Sequence, residues 1–242
     1  MIQAFHPKPG GQWLLLLLSL CLTGCSVVRN TPKYSFADGV FHSTAFGATR
    51  QVYVEHRADT IIVTRLRSGG QADPDTVRQA VRFAPSRPTG QPVAYRFMKT
   101  GLDIDFLTIP FKYRSSVGGF PRQFTTNLNG AIYVGYRHDR YRLSYLKNPI
   151  GTYARRLTHY GISMGGFSGL GATAVNPSVT QNQVGVEYEG LVWSKGVATI
   201  VGIDNFTLGL ALGWDDLLDE NKSVWQYQRR PWIGLAFGLN IN

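Results

Sequence analysis

The most regular hydrophobic pattern in this chain lies near its C-terminal end. Large apolar residues occupy every second position from Phe206 to Trp214 and again from Ile233 to Ile241, with mostly glycine and alanine between them. Successive side chains of a strand point to opposite faces, so this alternation predicts two strands with one large apolar face and one small face. Each run has roughly the 9–11 residues of a tilted strand that crosses a bilayer. The pattern is typical of a transmembrane β-barrel with a narrow interior, and a soluble β-sandwich is the alternative.

Six further segments with alternating polarity precede this hairpin. The eight predicted strands cover approximately residues 101–113, 125–137, 140–147, 158–173, 182–193, 196–204, 205–214 and 231–242. We therefore predict an all-β fold, in which residues 98–242 form an eight-stranded antiparallel transmembrane outer-membrane β-barrel.

The lengths of the connections predict which side of the membrane each one faces. Long connections at 114–124, 148–157 and 215–230 alternate with short ones at His138-Asp139 and around Asp204-Asn205. Outer-membrane barrels have short periplasmic turns and longer outer loops, so we assign the long connections to the outer side. Two connections fit less well. Ser194-Lys195-Gly196 is short for an outer loop, and 174–181 is long for an inner turn.

The alternation also assigns the two faces of the predicted strands. We expect these residues to face lipid: Leu102, Ile104, Phe106, Ile132, Val134, Tyr136, Tyr141, Leu143, Tyr145, Val184, Val186 and Tyr188. The interior then receives six charged residues: Asp103, Asp105, Arg137, Arg142, Glu187 and Glu189. An eight-stranded barrel is just wide enough for side chains to fill, so these charges must pair. Loss of Arg142 should then leave buried carboxylates without a cationic partner and destabilise the barrel.

The N-terminal residues have the features of an export signal. An apolar run from Trp13 to Leu22 is too short to span a bilayer as a helix and has the flanks of a secretory signal. It runs into Leu22-Thr23-Gly24-Cys25, which resembles a bacterial lipobox. The resemblance implies that residues 1–24 are a signal peptide and that Cys25 carries covalent lipid.

Removal of the signal leaves no free thiol in the mature protein, because Cys21 leaves with it and Cys25 is modified. Residues 25–33 are then a lipid-anchored tether. Residues 34–97 contain short alternating runs but too little apolar material for a confident independent core. We expect a small β-rich periplasmic module that packs on the mouth of the barrel or on a partner. His42 and His56 have no accompanying carboxylate pattern, so we expect surface histidines and no metal site.

Two arrangements of polar residues resemble catalytic groups. The pairs Asp103/Asp105 and Glu187/Glu189 could supply an acid and a base, but an interior salt network explains them better. His159 and Ser163 lie about 13 Å apart along one strand, which is too far for the histidine to activate the serine. No glycine-rich phosphate loop and no zinc spacing is present. We expect no enzymatic activity, and no cofactor other than the covalent lipid.

The formal net charge of +10 favours nucleic-acid binding in general, but an exported, lipidated barrel has no access to cytoplasmic nucleic acid. Basic and aromatic residues in or near the predicted outer loops are instead candidate contacts for a partner protein or a surface glycolipid. These residues are Arg155, Arg156, Trp225, Tyr227, Arg229, Arg230 and Trp232. A solvated rim with an ordinary aromatic girdle is the alternative.

Three segments, 130–137, 159–161 and 232–240, resemble uncharacterised outer-membrane β-barrel lipoproteins of the Bacteroidota. The resemblance covers residues 98–242 and implies no activity. One departure is that many outer-membrane barrels end in an aromatic residue, whereas this chain ends in Asn242. Ser26 to Asn30 also contains no acidic residue of the kind that often follows the cysteine of surface-exported lipoproteins in this phylum, which favours an anchor in the inner leaflet of the outer membrane.

Three functions remain open at this point. The first is a non-enzymatic accessory or structural subunit of a larger envelope complex for barrel assembly, secretion or nutrient uptake. The second is a barrel enzyme that modifies lipid A or phospholipid, and the third is a small pore. A filled, charged interior disfavours the pore, and the missing nucleophile–base pair disfavours the enzyme. We therefore expect a subunit whose partners are outer-membrane lipids and other outer-membrane proteins.

Overall fold

The computed structural model describes residues 36–67, 70–71, 80–87, 94–204 and 206–239. Within these ranges the protein is all-β, as predicted, and its strands are antiparallel. Among the described residues, the only other regular elements are two short 3₁₀ turns, Ser178–Thr180 and Glu220–Ser223. The predicted signal peptide, Cys25 and the tether lie outside the described residues.

Twelve strands belong to one sheet. They are β1 (Gly39–Ser43), β2 (Arg50–Arg57), β3 (Thr60–Arg65), β4 (Val81–Phe83), β5 (Ser86–Arg87), β6 (Ala94–Arg114), β7 (Gln123–Thr125), β8 (Asn129–Lys147), β9 (Tyr153–Val175), β10 (Tyr188–Ile203), β11 (Phe206–Leu217) and β12 (Pro231–Leu239). The three longest strands, β6, β8 and β9, have 21, 19 and 23 residues. They extend well beyond their shorter neighbours at one end of the sheet.

Six strands close into a ring, which we call the main ring. Its strands follow one another in the order β6, β8, β9, β10, β11 and β12, and β12 pairs back to β6. All neighbours are antiparallel. Closure leaves no free edge in this part of the sheet, so its backbone groups are satisfied by neighbouring strands.

The first five strands extend the sheet at one end and close it a second time. β1 pairs with the first part of β6, and β2, β3 and β4 follow in order. β5 comes directly after β4 and pairs with β9, so residues 81–87 connect the edge of β3 to β9. We call this closed arrangement the N-terminal ring. Since β6, β8 and β9 run through both rings, the predicted division between residues 97 and 98 falls inside β6.

The predicted count of eight barrel strands is wrong because two predicted turns lie inside continuous strands. His138-Asp139 lies in the middle of β8, and Ser194-Lys195-Gly196 lies in the middle of β10. Both segments pair with the strands on either side. The main ring therefore has six strands.

The corrected count also moves two connections to the opposite end of the ring. Residues 115–128, 176–187 and 218–230 gather at one end, which we call the loop end. Residues 148–152 and the turn residue Asp204 lie at the other end, beside the N-terminal ring. This explains the two connections that fitted the predicted scheme poorly. Ser194-Lys195-Gly196 is not a turn, and 174–181 belongs to a loop-end connection.

The interior of the N-terminal ring is strongly apolar. Its buried residues are Phe36, Phe41, Val52, Val54, Ile61, Val63, Phe83, Phe97, Tyr141, Leu143 and Tyr145. The prediction that Tyr141, Leu143 and Tyr145 face lipid is wrong, because β8 continues without a turn and odd-numbered positions stay on the inner face. The module that the sequence predicted to be short of apolar material obtains part of its core from these long strands.

The interior of the main ring is filled by smaller residues around a few large ones. The buried cluster contains Leu107, Ile109, Ala131, Tyr133, Phe167, Ala198, Ile200, Ala211, Trp232 and Ala236. Because barrel diameter grows with strand number, six strands leave little space for side chains. Gly165 shows the constraint, since a methyl group added there would overlap the carbonyl of Val134 and the Cα of Gly135.

We expect Gly165→Ala to destabilise the folded ring by about 1–3 kcal/mol, because the methyl group meets backbone that cannot move without opening the β8–β9 pairing. Gly166→Ala is the matched control, since the nearest atom to an added methyl is 3.7 Å away. Each variant is refolded into lipid vesicles and titrated with urea. The folded fraction is measured on unheated gels, where folded and unfolded protein migrate as separate bands. Equal urea midpoints for the two variants would contradict the assignment of Gly165 to the inner face.

Candidate membrane interface and interior polar clusters

A belt of exposed apolar side chains surrounds the main ring. Every strand of the ring contributes to it, and these residues are at least 36% exposed: Leu102, Ile104, Phe106, Ile132, Val134, Tyr136, Tyr160, Ile162, Met164, Leu170, Leu191, Trp193, Val197, Val201, Ile203, Leu208, Leu210, Leu212, Trp214, Ile233 and Leu235. Soluble monomers rarely expose an apolar patch larger than a few hundred square ångströms. A belt on all six strands is instead suited to an apolar solvent.

The height of this belt is close to that of a bilayer core. On β9 the outward series runs from Tyr160 to Leu170, which is about 33 Å along the strand. A strand tilt of about 45° reduces this to about 23 Å, near the roughly 25 Å band of transmembrane barrels. Trp193 and Trp214 lie toward the loop-end border, as the amphipathic rings of an interfacial girdle do. Trp193 donates its indole N–H to Ser168 Oγ at 2.9 Å.

The outer face changes in polarity where the N-terminal ring begins. On β8 the outward series passes from Val134 and Tyr136 to His138, Arg140 and Arg142. The inner face of the same strand stays mostly apolar, with Tyr141, Leu143 and Tyr145 buried. The N-terminal ring therefore has the apolar-inside, polar-outside pattern of a soluble β structure.

Three of the six charges predicted for the interior do not lie there. Asp103 and Asp105 are each 1% exposed, and the Arg137 side chain is 17% exposed. Arg142, Glu187 and Glu189 are exposed, so the prediction for these three is wrong. Arg142 follows the continuous alternation of β8, which places even positions outside. Glu187 precedes β10, and Glu189 alternates with the buried Gly190.

Arg137 joins two buried carboxylates in a polar layer between the two apolar cores. Its Nη1 lies 3.4 Å from Asp103 Oδ1, and its Nε donates to Asp139 Oδ2 at 2.8 Å. Asp139 Oδ1 also lies 2.8 Å from His159 Nε2. The backbone N–H of His159 donates to Asp204 Oδ1 at 2.8 Å, which ties the layer to the turn beyond β10. Sequence reasoning missed Asp139 because His138-Asp139 has the composition of a turn.

A second buried polar cluster lies near the loop end and was not predicted. Lys112 Nζ lies 3.0 Å from both carboxylate oxygens of Asp215 and donates to Asn129 Oδ1 at 2.8 Å and Ser194 Oγ at 2.9 Å. Arg114 donates to the same Asp215 carboxylate. Lys112, Arg114, Asp215 and Ser194 are at most 2% exposed, so this cluster is sealed from solvent. Two cations around one carboxylate require the additional acceptors that Asn129 and Ser194 supply.

A β-bulge explains why alternation alone does not find Lys112 and Arg114. Asp103, Asp105 and Leu107 are odd-numbered and face inward on β6, whereas Lys112 and Arg114 are even-numbered and also buried. The pairing of β12 with β6 shifts register between Leu235 and Phe237, opposite this part of β6. A bulge adds one residue to a strand and moves the following side chains to the other face.

Aromatic residues predicted to contact a partner close the loop end of the ring instead. Trp225, Tyr227 and Trp232 are 3%, 2% and 1% exposed, so that prediction is wrong. The Trp232 ring lies 4.5 Å from Lys112 Nζ, and Trp225 and Tyr227 lie 5.7 and 5.4 Å from the Arg114 guanidinium. Burial raises the pKa of the Tyr227 hydroxyl, and Arg114 acts in the opposite direction. The 218–230 connection is therefore part of the packed interior.

The four predicted arginine contacts divide between the two ends. Arg229 and Arg230 are exposed at the loop end, and Arg229 Nε pairs with Asp216 at 2.7 Å. Arg155 and Arg156 belong to β9 beside the N-terminal ring, so their assignment to an outer loop is wrong. Arg155 Nη1 donates to the Phe83 carbonyl at 2.6 Å and holds the closing segment 81–87 on β9.

The candidate catalytic pair does not form. Ser163 Oγ lies 2.8 Å from the Tyr133 hydroxyl, whereas the His159 ring bonds to Asp139. His42 and His56 are exposed, and a hydrogen bond from His56 lowers the pKa of Asp38. Among the described residues, no group of three histidine, cysteine, aspartate or glutamate side chains is placed to hold a metal ion. In the same part of the chain, no helix has the length and hydropathy to cross a membrane.

The interior can be followed from one end to the other along β8. Its inward residues pass from Leu143 in the N-terminal core to Asp139 in the polar layer, then to Tyr133 in the main-ring core and Asn129 in the loop-end cluster. All four are at most 2% exposed. Apolar and polar layers therefore alternate along this strand, and the residues named in each layer are buried.

No family model matches the chain. No curated protein and no solved structure matches it either.

We expect Arg137→Ala to lower the free energy of unfolding by about 3–5 kcal/mol, because it leaves the buried carboxylates of Asp103 and Asp139 without their guanidinium partner. Arg142→Ala removes the same group from the outer face of the same strand and is expected to have little effect. Unfolding midpoints in lipid vesicles, measured by tryptophan fluorescence, compare the two. Small and equal shifts would show that the polar layer contributes little to stability.

Proposed function

We propose that this protein is a lipid-anchored outer-membrane β-barrel lipoprotein that acts as a non-enzymatic subunit of a larger envelope complex. The observation that carries the membrane assignment is the apolar belt on all six strands of a closed ring. Closed sheets are one of the two structures that satisfy all backbone hydrogen bonds inside a bilayer. Six strands are fewer than the eight of the smallest single-chain barrels of this class, which fits an interior too narrow for a channel.

The asymmetry of the connections supports an orientation. The connection at 148–152 and the one between Ile203 and Phe206 are short and lie beside the N-terminal ring, whereas the longer connections 115–128, 176–187 and 218–230 lie at the loop end. Periplasmic turns are short and outer loops longer in barrels of this class. The N-terminal ring is then periplasmic, on the side from which a lipid on Cys25 would enter the inner leaflet.

Function by contact is supported by what fills the ring. A pore requires a continuous aqueous path, but packed aromatic residues and sealed polar clusters occupy the axis. A lipid-modifying enzyme requires a nucleophile and a base within reach of the bilayer, and His159 and Ser163 bond to different partners inside the ring. Exposed apolar residues on loop-end connections, such as Leu128, Val186 and Leu218, offer contacts to other envelope proteins.

We expect Cys25→Ala, expressed behind a cleavable secretory signal, to remain in the outer membrane. The belt supplies its own attachment, so loss of the lipid should not release the chain. Membrane fractionation with alkaline carbonate extraction measures this, with an unlipidated periplasmic protein as the soluble control. Appearance of the variant in the soluble periplasmic fraction would contradict the barrel assignment.

We expect the tagged protein, extracted from native membranes in mild detergent, to co-purify with at least one other envelope protein in a fixed ratio. It should also give no single-channel conductance after reconstitution in a planar bilayer, because its interior is filled. Mass spectrometry of the purified sample and bilayer recording measure the two properties. A partner-free monomer that conducts ions would support the pore, and one that cleaves or transfers acyl chains would support the enzyme.

A further inference from the structure

Four arginines lie close together on the outer face, on the side of the apolar belt next to the N-terminal ring. They are Arg96 on β6, Arg140 and Arg142 on β8, and Arg156 on β9, and all four are exposed. Arg96 and Arg142 are directly opposite in the β6–β8 register. Arg156 is opposite Ser144, the next outward residue of β8 after Arg142. We call these four residues the arginine patch.

The patch has no compensating acidic groups among the residues that the structure describes. Arg96, Arg142 and Arg156 make no ion pair there, and Arg140 Nε contacts only His138 Nε2, at 3.2 Å. Like charges directly opposite each other on neighbouring strands are destabilising. An external anion that bridges Arg96 and Arg142 would remove this repulsion.

A surface cleft inside the patch supplies further donors. It has a volume of about 290 Å³, and its lining includes Arg142, Arg156, Ser144, Thr158 and Tyr160. Two guanidinium groups with the hydroxyl groups of Thr158 and Tyr160 match the recognition of a phosphate, whose oxygens accept several charge-assisted hydrogen bonds, whereas the Ser144 hydroxyl donates to the Arg156 carbonyl. The cleft therefore presents donors, and no carboxylate lines it.

The position of the cleft relative to the belt identifies the source of the phosphate. Tyr160 lines the cleft and is also the first residue of the outward apolar series on β9, two positions before Ile162. A phosphate held by Arg142 and Arg156 thus lies directly beside the hydrocarbon boundary. Lipid headgroups have their phosphates at this depth, with the acyl chains on the apolar side.

We propose that the arginine patch binds the phosphate of an anionic phospholipid in the leaflet next to the N-terminal ring. This rests on the proposed insertion of the main ring in a membrane. An anionic headgroup is preferred over a zwitterionic one because a headgroup amine or quaternary ammonium would be repelled by four neighbouring arginines. The bound lipid fixes the depth of the main ring in the membrane, on the side next to the N-terminal ring.

The test uses the full mature protein in detergent, titrated with phosphatidylglycerol or phosphatidylcholine and analysed by native mass spectrometry. Arg142→Gln with Arg156→Gln removes two cations from the cleft. Arg122→Gln with Lys222→Gln is the matched control, because it removes two exposed cations at the loop end. Each arginine near an anionic membrane surface contributes about 1 kcal/mol, or about fivefold in affinity. The cleft variant should therefore bind phosphatidylglycerol about 25-fold more weakly than wild type. The control variant should bind it as tightly as wild type.

Several outcomes would overturn the inference. The first is equal affinity of wild type for the two lipids, and the second is an equal loss of phosphatidylglycerol affinity in both double variants. The third is displacement of phosphatidylglycerol by inorganic phosphate at an equal concentration, which would indicate a site for the free anion. Weaker binding at raised ionic strength, measured on wild type alone, supports the inference without relying on the folding of a variant. Flotation with vesicles separates the two proposals: failure of wild type to insert contradicts the barrel, whereas insertion without lipid preference contradicts only the patch.

Discussion

Pairing of the last strand with β6 is the constraint on which the rest of this structure depends. It closes six strands into a ring, and a ring of that size has little interior volume. Small residues are therefore required where strands approach each other, as at Gly165 and Ala211. Most of the larger apolar side chains of the same strands point outward, where they form the exposed belt.

Charged groups inside such a ring have to be neutralised locally, since water has no room to solvate them. The structure meets this requirement twice, with Arg137 between Asp103 and Asp139, and with Asp215 between Lys112 and Arg114. Both clusters join strands that are distant in sequence. Breaking a buried pair is strongly destabilising even when its formation contributes little. We infer that these clusters fix strand register and ring closure more than they raise stability.

Period-two alternation predicted the strands and faces correctly over much of the main ring, but not at 182–189, where β10 begins only at Tyr188 and Glu189 is exposed. It placed Leu102, Ile104 and Phe106 outside and Asp103 and Asp105 inside, as the structure shows. It failed where a single residue changes whether odd-numbered or even-numbered positions face inward. An assumed turn at His138-Asp139 inverted the inner and outer faces of the second half of β8, and a real bulge in β6 hid Lys112. Turn-like composition inside a strand and a bulge set by a distant partner are both decided by tertiary pairing, so local sequence cannot resolve them.

The outer face, considered without the inner one, carries the information about the surroundings. Along β8 the inner face is mostly apolar in both rings, whereas the outer face is apolar beside Val134 and cationic beside Arg142. Averaged hydropathy mixes the two faces and hides this change. The boundary between the two outer surfaces crosses β6, β8 and β9 within continuous strands, with no loop to mark it. The position of this boundary is therefore tied to strand register, because a slip of one residue would exchange the two faces.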